Sequence, residues 1–216
     1  MATDVVASCR RAIASGGMSS TPYRYWRLRD CLPGGVIDDL LALPFEPPDL
    51  DGVSGKRELH NDSRRYFDKE NQARFPSVAA VAKAFQTRAL TSSIENAFGA
   101  QLKGSYLRIE YTLDADGFWL EPHADIGVKL FTMQLYLSKD PRHHTLGTDI
   151  YDAERNWVGR SDFTPNAAFV FVPSRATLHG FEPRPIAGVR KTLIINYVTD
   201  EWRAREQLAF PDAPLA

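Results

Sequence analysis

Apolar and polar positions in the first part of the chain repeat at helical spacing, with prolines and glycines between the segments. A short pattern, VIDDLLAL, begins after Pro33 and ends at Pro44. A second pattern begins at Pro76, a residue favoured in the first turn of a helix, and a further amphipathic segment ends near Phe98-Gly99. The stretch 45–55, with its adjacent prolines and several acids, is typical of a loop. Residues 1–103 are therefore predicted to be mainly helical.

From residue 104 onward the pattern changes to short runs rich in β-branched and aromatic residues, separated by turn residues. The runs are SYLRIEYTL, FWLEPHADI, VKLFTMQLYL, TDIYD, AAFVFV, ATLHGF and RKTLIINYV. Such closely spaced strands predict a jelly roll or barrel of two sheets over 104–202. The segment DEWRAREQLAF predicts a short closing helix, and 203–216 a C-terminal tail. We expect one α+β domain over 1–216, with the N-terminal helices packed on one sheet.

Composition and charge narrow the functional classes only slightly. The chain of 216 residues has a formal net charge of -1, so bulk electrostatics make nucleic-acid binding unlikely. Its two cysteines, Cys9 and Cys31, form no CxxC pair, which favours free thiols over a disulfide or a zinc site. No stretch is typical of a signal peptide or a membrane span, and we expect a cytoplasmic protein.

The sequence EPHADIG places His123 and Asp125 two residues apart on a predicted strand. Side chains alternate faces along a strand, so these two project the same way. With His179, two β segments later, they form the set of two imidazoles and one carboxylate that suits Fe(II). H-x-D also occurs by chance in unrelated proteins, and a lone histidine on an apolar strand is more often a core residue.

Arg190 begins the apolar strand RKTLIINYV. A buried guanidinium needs a partner, and a carboxylate matches it in bidentate geometry. The partner is either the carboxylate of a ligand or a protein acid such as Glu182 or Asp200.

Residues 106–202 resemble the catalytic core of the prolyl-hydroxylase-type 2-oxoglutarate/Fe(II) dioxygenases. The matching segments are YLRIEYTLDADGFWLEPHADI, FTMQLYLSKD, LGTDIYD, FVFVPSRATLHGFEP and GVRKTLIINYVTDEW. The resemblance implies a cupin-like double-stranded β-helix with Fe(II) as cofactor and 2-oxoglutarate and O2 as co-substrates. By the same resemblance the iron ligands are His123, Asp125 and His179. Arg190 and Tyr136 would bind the distal carboxylate of 2-oxoglutarate, with Tyr111 in the same pocket.

Strand parity adds neighbours to these residues. The residues expected on the faces of Tyr136 and Arg190 are Leu130, Thr132 and Gln134 on one strand and Thr192, Ile194 and Asn196 on the other. The hydroxyls of Thr132 and Thr192 could contact the co-substrate, although packed threonines are the alternative. His143 and His144 replace the glycines of many family members, and we interpret them as a solvated loop.

The leading hypothesis is a hydroxylase of a small molecule or natural product that releases succinate and CO2. The alternatives are a protein or peptide hydroxylase and a non-catalytic β-sandwich binding protein; an AlkB-like nucleic-acid demethylase is less favoured. Specificity is expected to lie outside the core. Its candidate residues are Trp119, Asn196 and a basic stretch of Lys56-Arg57 with Arg64-Arg65-Tyr66-Phe67, for which a solvated face is the alternative. The sequence identifies neither the substrate nor the oligomeric state.

Overall fold

The computed structural model describes residues 1–47, 55 and 64–216. Five α-helices lie in the first half of this part of the chain. They are α1 (Ala2–Ser15), α2 (Gly34–Leu41), α3 (Lys69–Arg74), α4 (Pro76–Gln86) and α5 (Arg88–Phe98). The helices predicted after Pro33 and at Pro76, and the helix end near Phe98, are confirmed.

Local sequence explains where these helices begin and end. Asp68 caps α3 by accepting a hydrogen bond from the backbone N–H of Asn71 at 2.8 Å. Thr87 separates α4 from α5 and accepts from the N–H of Leu90 at 3.4 Å. Helix α5 ends at Gly99, whose φ of 75° is a left-handed conformation that glycine adopts without strain.

Eleven strands form two antiparallel sheets in the described residues. The large sheet has the order β1-β2-β9-β6-β11-β4-β3, and the small sheet the order β5-β10-β7-β8. The strands are β1 (Gly17–Ser19), β2 (Tyr25–Leu28), β3 (Arg65–Tyr66), β4 (Tyr106–Asp114), β5 (Leu120–His123), β6 (Lys129–Tyr136), β7 (Asp149–Tyr151), β8 (Trp157–Arg160), β9 (Ala168–Phe171), β10 (His179–Phe181) and β11 (Arg190–Val198).

The two faces of the large sheet carry different side chains. One face packs on the helices: Leu107, Ile109 and Tyr111 of β4 join Leu193 and Ile195 of β11 in a core that includes residues of every helix but α3. The other face meets the small sheet through a second core that contains Tyr136, Phe169, Phe171 and Phe181. Polar side chains of β4, β6 and β11 also lie on this second face, so any cavity between the sheets is lined by them.

Five elements differ from the sequence prediction, because tertiary pairing outweighs local pattern. Strands β1, β2 and β3 extend the large sheet at its edges within the region predicted to be helical. Strand β8 was not predicted; its consecutive residues Trp157 and Val158 are both exposed, so this edge strand lacks an alternating pattern. In the final segment only Arg205–Gln207 is helical, a 3-10 turn, because Ala209 donates to the Leu107 carbonyl at 2.9 Å and leaves the helical path.

Two smaller expectations are also answered. Cys9 and Cys31 are buried free thiols, as predicted, and the Cys9 thiol donates to the Cys31 carbonyl at 3.0 Å. None of the helices described by the structure is long and apolar enough to cross a membrane. Most of the loop predicted over 45–55 lies outside the described residues.

Candidate metal centre

The predicted metal ligands lie where the two sheets approach each other. His123, the last residue of β5, is directly opposite His179, the first residue of β10. Asp125 follows two residues after His123 in the loop that leads to β6. One ligand atom from each of the three residues lies within 4.8 Å of the other two. Pairing of β5 with β10 therefore brings together residues that are far apart in sequence.

Backbone carbonyls set the tautomer of both histidines. The Nδ1–H of His123 donates to the carbonyl of Glu121 at 2.9 Å, and that of His179 donates to the carbonyl of Thr177 at 3.0 Å. With the proton on Nδ1, Nε2 carries the lone pair that a metal ligand needs. The two imidazole rings have centroids 4.4 Å apart.

A polar network fixes the carboxylate of Asp125. Lys129 donates to its Oδ1 at 2.5 Å, and the Thr132 hydroxyl donates to Oδ2 at 2.7 Å. Thr132 in turn accepts from the Nδ2 of Asn196 at 2.9 Å, and the Oδ1 of Asn196 accepts from Arg108 at 3.3 Å. The orientation of the carboxylate is thus set by side chains of β6, β11 and β4.

The protonation states suit metal binding. Burial lowers the pKa of His179 to about 4, so the imidazole is neutral near pH 7. Burial alone would raise the pKa of Asp125, but the charge and hydrogen bond of Lys129, with smaller contributions from His179 and Thr132, hold it well below its ordinary value. The neutral imidazole of His179 and the ionised carboxylate of Asp125, with the imidazole of His123, are the donor types of the facial triad that binds Fe(II). The donor set therefore fits a divalent iron ion.

The triad opens into a cavity of about 350 Å³ between the sheets. The metal-ligand candidates share its walls with polar residues of the large sheet. These wall residues include Arg108, Glu110, Lys129, Thr132 and Gln134, and Arg64, just before β3, lines the cavity as well. Gly55, Ile126, Ile194 and Trp202 add apolar surface to the cavity.

Arg190 is buried beside this cavity and is paired with a protein acid. Its Nη1 donates to Asp114, directly opposite it on β4, and its Nε donates to the Leu146 carbonyl at 2.8 Å. The guanidinium carbon lies 4.9 Å from the ring centroid of Phe181 and 5.8 Å from that of Tyr136. The expectation of a buried, paired arginine is confirmed, but its protein partner is Asp114 and not Glu182 or Asp200.

A small space lies next to Arg190 and shares Gln134, His179 and Ile194 with the larger cavity. Thr192 also lines it, and the Thr192 hydroxyl is buried without a hydrogen-bond partner among the described residues. A guanidinium and an unused hydroxyl suit a carboxylate ligand. The space is about 20 Å³, the size of one water. A five-carbon dicarboxylate therefore fits only if neighbouring side chains, such as Gln134, move.

The two tyrosines assigned to the co-substrate occupy different environments. Tyr136 faces the small sheet, and its hydroxyl is hydrogen-bonded to Thr148 at 3.0 Å and Ser161 at 2.5 Å. Tyr111 faces the helices and donates to the Leu40 carbonyl at 2.9 Å. The placement of Tyr111 in the co-substrate pocket is therefore wrong, because the β4 register puts its neighbours Glu110 and Thr112 on the cavity side.

Other residues singled out in the sequence are placed as follows. Thr132 and Asn196 belong to the network behind Asp125. Leu130 packs against the helix-side core, contrary to the parity argument, because the pairing of β6 with β11 shifts register near this end. His143 is buried and bonded to the Ala187 carbonyl at 2.7 Å, so the solvated-loop interpretation holds for His144 alone.

Some of the candidate specificity residues lie at the cavity, and others lie outside the described residues. The ring of Trp119 lies against Gly55, which itself lines the cavity. Arg64 lines the cavity, and Tyr66 is buried beside Arg108, so this part of the basic stretch is not a solvated face. Lys56 and Arg57 lie outside the described residues.

Sequence reasoning missed Arg108, Glu110, Asp114 and Lys129. A signal was present, because Arg108, Glu110 and Asp114 share a parity on the otherwise apolar strand YLRIEYTLD. Charged residues at every second or fourth position of a buried strand indicate a polar interior facing the other sheet.

Comparison with known proteins reveals similarity in structure. No protein-family model matches the sequence, and comparison with curated proteins gives no match either. A prolyl-4-hydroxylase from Pseudomonas putida superposes with a TM-score of 0.58 at 15% identity, over 90% of this chain and 93% of that chain. A prolyl hydroxylase from Trichoplax adhaerens, in complex with a hypoxia-inducible-factor peptide fragment, gives 0.59 at 12% identity over 94% and 93%. HygX from Streptomyces hygroscopicus, with nickel and 2-oxoglutarate bound, gives 0.52 at 12% identity over 82% of each chain.

These similarities span nearly the whole of two of the matched chains. The chain therefore has the double-stranded β-helix fold of the prolyl hydroxylases, and the predicted fold class is confirmed. At this level of identity the comparison establishes the fold, and the chemistry must be argued from the residues of the site.

Proposed function

We propose that this protein is a non-haem Fe(II), 2-oxoglutarate-dependent oxygenase that hydroxylates a small molecule. The observation that carries the proposal is the convergence of His123, Asp125 and His179 in one cavity, next to the space beside Arg190 and Thr192. The bound 2-oxoglutarate and nickel of HygX, on the same fold, support it.

Bound iron would couple decarboxylation of 2-oxoglutarate by O2 to hydroxylation of a substrate C–H bond, giving the alcohol, succinate and CO2. The residues of this chain provide the binding geometry. His123 and His179 offer Nε2 because their Nδ1 protons are held by backbone carbonyls. Asp125 is kept ionised and oriented by Lys129 and Thr132.

The proposed role of Arg190 and Thr192 is to bind the distal carboxylate of 2-oxoglutarate. Arg190 has donors beyond those used by Asp114 and Leu146, since a guanidinium carries five N–H groups. The Tyr136 ring packs near the guanidinium, and its hydroxyl is hydrogen-bonded to Ser161 and to Thr148, which lines the pocket. Tyr136 is therefore assigned a supporting position beside the ligand.

A small-molecule substrate is favoured by the size of the cavity. About 350 Å³ is at the lower end of the range for pockets that enclose small ligands. Polar and charged groups in its walls offer specific contacts to such a ligand.

Peptide hydroxylation is the second candidate. A wider depression of about 730 Å³ adjoins the cavity at Arg64, Ile126 and Trp202, and it could receive an extended segment. The Trichoplax adhaerens hydroxylase of the same fold was solved with a peptide fragment.

Succinate production tests the proposal. Purified protein is incubated in air with Fe(II), ascorbate and 2-oxoglutarate, and succinate is measured by NMR. We expect slow, iron-dependent succinate formation without added substrate, and its loss in His179→Ala. A protein that forms no succinate and does not bind 2-oxoglutarate would contradict the proposal. Adding an oligoproline peptide and measuring a 16 Da mass increase tests the second candidate.

A further inference from the structure

Among the described residues, β4 and Arg64, just before β3, place two guanidinium groups around one carboxylate in the wall of the metal cavity. Arg108 and Glu110, both on β4, are almost fully buried and form a salt bridge of 2.9 Å. The Nε of Arg64 lies 3.6 Å from the other oxygen of Glu110, beyond hydrogen-bonding distance. All three residues line the cavity. Two cations thus share one anion in a poorly hydrated wall, where an excess charge is unfavourable.

Arg108 is held in place by the protein itself. It donates to the side chains of Gln207, Asn196 and Tyr66 at 3.0 to 3.3 Å, in addition to Glu110. Its guanidinium carbon is 4.8 Å from the ring centroids of both Tyr66 and Trp202. Of the two guanidinium groups, Arg108 makes the shorter contact with Glu110, at 2.9 Å against 3.6 Å for Arg64.

Arg64 and Trp202 have buried donors that the described residues do not use. The Nε–H of Arg64 and the indole N–H of Trp202 are both inaccessible and lack a hydrogen-bond partner in that part of the chain. The Arg64 side chain is 14% exposed, and both residues line the metal cavity and the depression next to it. Buried N–H groups normally have partners, so unused donors in a cavity wall indicate a missing acceptor.

No other acid among the described residues of the cavity and the depression accepts from these two donors, including Glu201, which is exposed in the depression. Lys129 is paired with Asp125 at the metal site. Glu121 lies on β5 of the small sheet, whereas Arg108 lies on β4 of the large sheet and Arg64 directly precedes β3 of that sheet. The positive wall and the Glu121 carboxylate are thus on different sheets.

We propose that Arg64 and Trp202 bind an oxyanion group of the substrate, so that the enzyme acts on an organic acid or a phosphate ester. That the bound anion is a substrate rests on the proposed function; that an anion binds at Arg64 and Trp202 does not. The depression beside Arg64 and Trp202, with Ile126 and Val128 in its wall, would contact an apolar part of the same molecule.

The distal carboxylate of 2-oxoglutarate does not explain this site. In the register of β4 with β11, Arg108 lies opposite Asn196, and Arg190 lies opposite Asp114. Arg108 and Arg190 are therefore six residues apart along the strand direction. Six residues of strand span about 20 Å. A five-carbon acid held by Arg190 at one end therefore does not reach the guanidinium pair at the other.

Matched probes test the proposal: hexanoate, hexyl phosphate and the neutral hexanamide. Their affinities are measured by ligand-observed NMR, first with metal-free protein and again with Zn(II) and saturating 2-oxoglutarate. We expect at least one anion to bind tenfold or more tightly than hexanamide under both conditions. The preferred anion distinguishes a carboxylate from a phosphate ester.

The variants are Arg64→Met, Trp202→Phe and, as a control for loss of charge, Arg10→Met on the exposed surface of α1. Arg64→Met should abolish the preference for anions, Trp202→Phe should reduce it severalfold, and Arg10→Met should leave it intact. No preference in wild type, or the same preference in Arg64→Met, overturns the proposal. Loss of anion binding when 2-oxoglutarate is added also overturns it, because the probes would then have occupied the co-substrate site.

The chelate of iron and 2-oxoglutarate is measured separately, so the two proposals can fail independently. Anion binding that depends on Arg64, in a protein that forms no chelate, would retain the anion site and reject the oxygenase. A protein that forms the chelate but shows no preference for anions would retain the oxygenase and reject the anion site.

Discussion

Replacement of Thr132 by valine should weaken metal binding without unfolding the protein. The Thr132 hydroxyl donates to Oδ2 of Asp125 at 2.7 Å and accepts from Asn196 at 2.9 Å, so it links the carboxylate to the large sheet. Valine has nearly the same shape and suits a strand, but it removes the donor. Asp125 then keeps Lys129 as its partner and gains freedom to rotate.

The size of the effect follows from one lost hydrogen bond to a charged acceptor. Such a bond contributes about 1.5–3 kcal/mol. If this loss falls on the metal-binding orientation of Asp125, affinity decreases by about 10- to 100-fold. Losses of a similar size, about 10- to 100-fold, are typical when a group that orients a metal ligand is removed.

Mn(II) is a suitable probe because its free ion gives an electron paramagnetic resonance signal in air. The signal is titrated against wild type, Thr132→Val and Thr132→Ser. Serine keeps the hydroxyl and should retain most of the affinity. A valine variant that binds Mn(II) within twofold of wild type, or a serine variant as weak as valine, would refute the role of this hydroxyl.

Three further predictions concern residues around the site. Thr192→Val should weaken 2-oxoglutarate binding, measured by calorimetry. The free energy of unfolding should stay the same or increase, because the Thr192 hydroxyl has no partner among the described residues. A loss of stability would contradict this. Tyr111→Phe should lower the free energy of unfolding in urea by about 1 kcal/mol, because the Tyr111 hydroxyl donates to the Leu40 carbonyl. The affinity for 2-oxoglutarate should not change. Weaker binding of 2-oxoglutarate would show that Tyr111 does contribute to the co-substrate pocket. The metal-free protein should lose stability as the pH falls from 6.5 towards 4, because unfolded histidine takes up a proton in this range while burial keeps the pKa of His179 at about 4. Thermal unfolding of wild type and His179→Asn across that range measures this, and equal pH dependence in both would refute it.

The parts of the fold that could be predicted are those with long periodic patterns. Strands β4, β6 and β11 are eight or nine residues long, and each was recognised from its sequence. Strand β8 was missed because it lies at an edge of the small sheet with Trp157 and Val158 exposed. The helix expected near Arg205 is a 3-10 turn because the chain there pairs with β4, a contact that local sequence does not reveal.

The site shows the same division between local and long-range information. His123 and Asp125 could be paired from sequence because they are only two residues apart, although Asp125 lies in the loop after β5 and not on the strand that the alternation argument assumed. Asp114 as the partner of Arg190, and the helix-facing position of Tyr111, depend on the register of β4 against β11. Register is a tertiary property, and a shift by one residue exchanges the two faces of a strand.

Anaerobic titration of Fe(II) into the metal-free protein, with and without 2-oxoglutarate, tests the central claim most directly. We expect a visible charge-transfer band that appears only when both Fe(II) and 2-oxoglutarate are present and is lost in His123→Ala. A protein that forms no band, and does not bind 2-oxoglutarate, would instead be a β-sandwich that does not use this chemistry.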